Sequence, residues 1–139
     1  MGLVFSLHHL KSNFQMEEIL KKLSVNLESN DEVDMIFRNP KIFPTKLVEK
    51  LSIQTALKYL RNEISFLEGD YIMNNIYGFW LINFSKDYGF SQIAWECYEA
   101  FDAGEYYRSE DDPNLDPAEI YTKPLLEELV TKYKNLKPK

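Results

Sequence analysis

Apolar residues recur every three or four positions through most of the chain, which is the period of an amphipathic α-helix. The pattern is regular across residues 15–27 and in a later seam formed by Ile53, Leu57, Leu60, Ile64 and Leu67. No series of segments alternates apolar and polar residues as β-strands do. The sequence therefore predicts an all-α protein, a compact bundle of about four to six helices that forms a single domain over residues 1–139.

Short polar residues and glycines predict where several helices begin and end. Asp31 and Asp70 are each expected to cap a helix N-terminus, and Gly69 is expected to end the helix that precedes Asp70. A shift in the apolar phase near Ser52 leaves open whether one or two helices precede Gly69. Gly78 lies inside the next predicted helix, where it is expected to let a neighbouring element approach closely.

The clearest amphipathic helix begins at Ser91, which can cap its N-terminus, and is expected to stop at Gly104. Its apolar stripe consists of Phe90, Ile93, Ala94, Cys97, Tyr98 and Phe101. Glu99 and Asp102 lie within about 40° of Trp95 on the helical wheel, away from that stripe. Trp95 therefore either anchors a partner on a polar face or packs beneath another segment of the chain.

The last helix has its own start signal. Asp116 can cap it, Pro117 fits the first helical position, and Glu119 can reach back to the cap. Pro124 predicts a restart or a kink a few residues later. The last apolar stripe then follows, formed by Leu125, Leu126, Leu129, Val130 and Tyr133.

Negative charge is concentrated in one part of the chain. Residues 96–119 hold nine carboxylates against a single base, Arg108, so this segment carries a charge of −8, whereas the whole chain carries −6. Such a focused field favours a basic partner, although many acidic runs are only solvated surfaces. The predicted partner-binding residues are acidic and aromatic side chains of this segment and the tryptophan just before it: Trp95, Glu96, Glu99, Asp102, Glu105, Tyr106, Tyr107, Glu110, Asp111 and Asp112.

Composition narrows the function classes. A hydrophobic content of 45% argues against disorder, and a pI near 5.0 argues against direct binding of nucleic acid. The single cysteine, Cys97, fits a reducing cytoplasm.

The apolar N-terminal stretch that includes His8 and His9 is too short to span a bilayer, so no membrane association is expected. No catalytic motif is present and the adjacent His8 and His9 lack further ligands, so we expect neither an enzyme nor a metal or cofactor site.

The order of several motifs resembles a known family. Phe66-Leu67-Glu68-Gly69 is followed by a helix with Ile72, Ile76 and Trp80, then by a short helix that ends in residues 97–102 (CYEAFD), an acidic tyrosine-bearing loop and a helix that starts at Asp116. Over about residues 63–136 this order is similar to that of the colicin D-like immunity proteins, which are small helical inhibitors of bacterial ribonuclease toxins. The resemblance implies that acidic side chains occupy the basic catalytic cleft of a tRNA-cleaving toxin. The residues that would carry this role are Glu96, Glu99, Asp102, Glu105, Glu110, Asp111 and Asp112.

Three functions therefore compete. The first is a cytoplasmic immunity protein that blocks the basic active site of a cognate nuclease toxin, either a ribonuclease of the kind above or the toxin of a contact-dependent inhibition system. The second is an acidic adaptor or nucleic-acid mimic that binds another basic protein. The third is a small enzyme without a recognisable motif. The charge concentration and the aromatic residues beside it favour the first.

Overall fold

The computed structural model of the protein describes residues 14–134, and of Lys134 only the backbone. The expectations about the N-terminal stretch, including His8 and His9, lie outside the described residues. The described part contains six α-helices, one π-helical turn and no strand, which confirms the predicted all-α bundle. The elements are α1 (14–23), α2 (Asn30–Ile36), α3 (Thr45–Leu60), α4 (Phe66–Asn83), α5 (Gln92–Ala103), the π-helix (Ala118–Thr122) and α6 (Lys123–Lys134).

The helix that begins at Ser91 in the sequence, α5, lies at the centre of the bundle. It packs against α3, α4, α6 and the π-helix. Its buried residues include Ala94, Cys97 and Phe101, which belong to the predicted stripe. Buried side chains from all six helices join it in one hydrophobic cluster. The polar side of α5 is thereby held on a rigid support.

Two of the predicted helix boundaries were wrong. Gly69 does not end a helix and Asp70 does not cap one, because both lie inside α4. The cap is Ser65, whose hydroxyl accepts a hydrogen bond from the Glu68 amide, while the Glu68 carboxylate accepts one from the Ser65 amide. Phe66-Leu67-Glu68-Gly69 therefore forms the first turn of the helix that it was expected to precede.

Gly69 has a packing function instead. A Cβ atom at this position would lie 2.4 Å from the ring of Phe101, so only glycine lets that ring pack against α4. The preceding helix, α3, ends earlier, at Leu60, and Asn62 two residues later has a φ of 61°. The amides of Asn62 and Glu63 donate to the carbonyls of Tyr59 and Lys58, as in a Schellman motif.

Further corrections concern α2 and α3. Ser29, not Asp31, is the N-cap of α2. The phase shift near Ser52 does not divide α3, which is one helix. Ser52 and Thr55 are buried in its core face, and their hydroxyls donate to the carbonyls four residues earlier. The predicted seam was displaced from the true core face because these two polar residues looked like surface positions.

The region after α5 is fixed by close contacts. Gly104 follows the last residue of α5 as predicted, but its φ is −91°, so left-handed geometry is not the reason. A Cβ atom there would lie 2.1 Å from the Thr122 hydroxyl. Thr122 in turn donates to the carbonyl of Ala100. The predicted restart at Pro124 corresponds to the change from the π-helix to α6, since proline cannot donate the backbone hydrogen bond that a continuous helix needs.

Candidate protein-binding surface

Trp95 is neither fully exposed nor part of the sealed core. Its ring is half-buried and stacks on Tyr98, with the ring centroids 5.6 Å apart. Tyr98 stacks in turn on Tyr77 of α4 at 4.5 Å, and the Tyr77 and Trp95 centroids lie 6.0 Å apart. We call these three residues, Tyr77, Trp95 and Tyr98, the aromatic face. It joins α4 to α5 at the edge of the core.

The polar atoms of the aromatic face form no hydrogen bond with the described part of the chain and are accessible to water. No hydrogen bond within the described residues uses the Trp95 indole N–H or the hydroxyls of Tyr77 and Tyr98. No buried side-chain nitrogen or oxygen in the described chain lacks a partner, so these three polar atoms must be accessible to water. The other tryptophan differs, because the Trp80 indole donates to the Tyr88 carbonyl at 2.8 Å. The aromatic face therefore offers hydrogen-bonding groups as well as ring surface.

Three carboxyl groups lie beside the aromatic face: Asp70 on α4, Asp102 on α5 and Glu105 just after α5. We call them the carboxylate rim. Burial, followed by the hydrogen bond and charge of Glu105 and the charge of Asp102, raises the pKa of Asp70 to about 8. Burial and the charge of Asp102 likewise raise the pKa of Tyr98.

The predicted residue Glu96 belongs to a different side of α5. Its carboxylate accepts a hydrogen bond from the Tyr133 hydroxyl at 2.8 Å and pairs with Lys132 at 3.1 Å, both on α6. Gln92 donates to the same carboxylate. Partial burial acts to raise the pKa of Glu96, but these hydrogen bonds outweigh it and the pKa is lowered. Glu96 therefore connects α5 to α6, and its charge is already paired.

The predicted loop residues lie around the π-helix. The Arg108 guanidinium lies over the ring of Tyr106, 4.3 Å from its centroid, and over the ring of Tyr121, at 3.7 Å. The Tyr121 hydroxyl donates to the Asp111 carboxylate, and this hydrogen bond is the main reason why the pKa of Tyr121 is raised. The single base of the acidic segment is thus held within the loop and organises it.

The remaining predicted residues project into solvent. Tyr107 is 67% exposed and Tyr106 is 55% exposed, which is high for such large side chains. Glu99 and Glu110 are exposed too, and Asp112 is exposed while its carboxylate accepts a hydrogen bond from the Asn114 amide. The structure therefore divides the ten predicted residues into a helical group near the aromatic face, a loop group near Tyr121, and Glu96 facing α6.

Most of the negative charge of the acidic segment is not neutralised within the described chain. Of its nine carboxylates, only Glu96 and Glu119 form ion pairs with described residues, with Lys132 and Lys123 respectively. The other seven have no such pair: Glu99, Asp102, Glu105, Glu110, Asp111, Asp112 and Asp116. A surface of this kind attracts cations over several ångströms at physiological ionic strength.

The sequence reasoning missed three residues of this surface. Asp70 was interpreted as a helix cap, and Tyr77 and Tyr121 received no role. Tyr77 lies one position after the buried Ile76, so it occupies the border of the core face of α4, where an aromatic residue can reach the next helix. That signal was present in the sequence. Asp70 comes close to Glu105 because α4 and α5 approach each other closely at Gly69. No local sequence pattern predicts this contact between helices.

Residues 14–134 contain no group of three or more His, Cys, Asp or Glu side chains arranged to hold a metal ion. Cys97 is fully buried, burial raises the pKa of its thiol, and the thiol lies 3.4 Å from the Ser52 carbonyl. Two open grooves of about 600 and 660 Å³ flank α1, but neither is lined by a predicted site residue.

No helix among the described residues combines the length and the apolar character needed to cross a bilayer. Comparison of the chain with protein-family models, with curated proteins and with solved structures gave no match.

Proposed function

We propose that this protein is a cytoplasmic immunity protein that binds the basic active site of a bacterial ribonuclease toxin, such as a tRNA-cleaving enzyme, and blocks access of RNA. The observation that carries this proposal is the set of seven carboxylates in residues 96–119 that form no ion pair with residues 14–133, next to the half-buried aromatic face. In this proposal the chain is an inhibitor, and it needs no metal or cofactor of its own.

The physical argument rests on charge complementarity. A ribonuclease must hold a phosphate backbone, so its active site carries positive side chains. A fixed array of carboxylates can take the place of the phosphates, and it also accelerates the encounter of the two proteins. Charge alone gives fast but weak association, whereas large aromatic groups at the centre of an interface slow dissociation. The surface around α5 offers both kinds of group.

The resemblance to the colicin D-like immunity proteins supports the same proposal, because the residues that carry it include α5 and the acidic loop. The structure changes one part of that argument. Glu96 is engaged by Lys132 and Tyr133 of α6, so its proposed part in binding is smaller than that of Glu99, Asp102 and Glu105.

The test is to express the reading frame directly upstream of this gene, since a toxin and its antidote must be made together. Expression of that product alone should stop growth, and co-expression of this chain should restore it. The purified pair should form a stoichiometric complex in which RNA cleavage is blocked. If the upstream product is harmless, or if a basic partner isolated from native cells cleaves no RNA, the adaptor or nucleic-acid mimic becomes the better account.

A further inference from the structure

The aromatic face and the carboxylate rim together have the composition of a guanidinium-binding site. Half-buried rings of Tyr77, Trp95 and Tyr98 lie beside Asp102, whose charge raises the pKa of Tyr98. Aromatic rings attract a cation through their faces, and carboxylates bind it by charge-assisted hydrogen bonds. Within residues 14–134, no lysine or arginine lies over any of these three rings.

The chain already contains an arrangement with the same kinds of group. Arg108 lies over the rings of Tyr106 and Tyr121, and the Tyr121 hydroxyl is hydrogen-bonded to Asp111. That internal cluster shows how this protein holds a guanidinium, by tyrosine faces with a carboxylate close by. The aromatic face and the carboxylate rim provide tyrosine, tryptophan and carboxylate groups as well, and all of them except Glu105 lie on α4 and α5.

We propose that the aromatic face and the carboxylate rim receive one arginine side chain of a basic protein partner. This inference rests on the proposed function for the identity of the partner, but the chemistry of the site can be tested without that partner. Arginine fits better than lysine because its planar guanidinium stacks on rings, is weakly hydrated, and can bind a carboxylate with two parallel hydrogen bonds. A lysine ammonium is a compact, strongly hydrated charge that gains less from ring faces.

Asp70 gives the site an additional property. It lies near Glu105, Asp102 and the Asn74 side chain, and burial together with Glu105 and Asp102 raises its pKa. A guanidinium placed beside Asp70 favours the charged form of its carboxyl group and so lowers the pKa of Asp70. Binding near neutral pH should therefore release a proton from Asp70, and a partner arginine that binds elsewhere on the acidic segment should not cause this release.

The first experiment compares two peptides of equal charge, nona-arginine and nona-lysine, by titration calorimetry with the full chain. We expect nona-arginine to bind at least about fivefold more tightly, which corresponds to one good cation–π contact.

The same titration in two buffers of different ionisation enthalpy should show proton release with the parent protein and none with Asp70→Asn. Equal affinity for both peptides would overturn the proposal.

A second experiment tests whether the arginine binds at the aromatic face. In a Trp80→Phe variant, Trp95 is the only tryptophan, and nona-arginine should change its fluorescence. Trp95→Leu, or Asp102→Asn with Glu105→Gln, should remove the preference for arginine. The matched control is Asp87→Asn with Glu127→Gln, which changes two exposed carboxylates elsewhere. This variant should still prefer nona-arginine. Asp102 and Glu105 are exposed, so that double variant still decides the question if Trp95→Leu unfolds.

If the site variants still prefer nona-arginine, arginine binds at another surface and the proposal is contradicted. The outcomes also separate this inference from the proposed function. If the chain neutralises a toxin but shows no arginine preference, only the inference fails. If it prefers arginine through Trp95 but no nuclease partner is found, the inference stands and the proposed function fails.

Discussion

Asp70 shows how a single residue can connect stability with binding on this surface. Its carboxyl group is half-buried at the contact of α4 and α5, and it faces Glu105 and Asp102 with no described cation beside it. Such an arrangement weakens the isolated fold when the groups are ionised, but it is complementary to a positive partner. We infer that some stability is lost at this position because the surface is built to meet a cation.

The raised pKa of Asp70 predicts a pH dependence of stability. The folded protein keeps the Asp70 proton up to about pH 8, whereas the unfolded chain loses it near its ordinary pKa. The folded state therefore binds more protons between these values, and stability should fall as the pH rises through this window. Asp70→Asn should melt at a higher temperature than the parent at pH 8.5 and show little gain at pH 4, as measured by circular dichroism.

The control for this prediction is Asp87→Asn, which removes one carboxylate from an exposed position outside the carboxylate rim. It should leave the pH dependence of melting unchanged. If Asp70→Asn and the parent differ by the same amount at both pH values, Asp70 does not hold its proton as the structure indicates.

Individual side chains should differ sharply in their contribution to partner binding. We expect Trp95→Ala, Asp102→Ala or Tyr107→Ala to weaken the complex by about 2 kcal/mol, roughly thirtyfold, mainly through faster dissociation. Glu127→Ala, on an exposed position of α6, should change the affinity little. Surface plasmon resonance gives both rates. Because Trp95 stacks on Tyr98, Trp95→Ala must first be shown to be folded by a cooperative melting transition. If the folded variant binds the partner with full affinity, Trp95 is not part of the interface.

At the scale of helices, α5 has three distinct sides. Its core side is formed by Ala94, Cys97 and Phe101. On a second side Glu96 faces α6, and on a third Trp95 contributes to the aromatic face. The sequence pattern predicted the core side and the separate position of Trp95, since both follow from helical periodicity. It did not predict that Glu96 is paired, because Lys132 lies 36 residues away and only the packing of α6 brings it close.

The glycines provide a test of element packing. Gly78 has no neighbouring atom within 4 Å of an added Cβ, so the expectation that it permits close packing was wrong. Gly78→Ala should therefore stabilise α4 by up to about 1 kcal/mol, the difference in helix propensity. Gly104→Ala should destabilise the fold, because the new methyl group would collide with Thr122 and with the backbone of Ala118.

Urea denaturation of both variants measures this contrast as changes in the free energy of unfolding. Equal effects of the two substitutions would show that the contact between the end of α5 and the π-helix is looser than the structure indicates.

At the scale of the whole molecule, periodicity was enough to predict the fold class and most of the core helices. Helix boundaries were predicted less accurately where the local signal was ambiguous, as at the end of α3, which lies at Leu60 and not at the expected Gly69. The candidate surface was found from charge concentration along the chain. Its division into separate groups, and the inclusion of Asp70 and Tyr77, depend on contacts between helices that are distant in sequence.

The charge distribution predicts the kinetics of partner binding. The unpaired carboxylates should steer a basic protein, so association should be fast at low ionic strength and slow steeply as salt is added. Stopped-flow measurement from low to high salt tests this. An association rate that does not change with salt would reject electrostatic steering, whatever the affinity of the complex.

The most direct test of the central claim compares two triple variants as inhibitors of RNA cleavage by the candidate toxin. Glu99→Gln, Asp102→Asn and Glu105→Gln together neutralise exposed carboxylates near the aromatic face, whereas Asp87→Asn, Glu127→Gln and Glu128→Gln remove the same charge from other exposed positions.

We expect the first triple variant to lose inhibition by a factor on the order of 100, because close charge pairs contribute strongly at such interfaces. The second should stay within about threefold of the parent, as expected for exposed charges outside an interface. Equal inhibition by both folded variants would contradict the claim that the surface around α5 blocks the toxin.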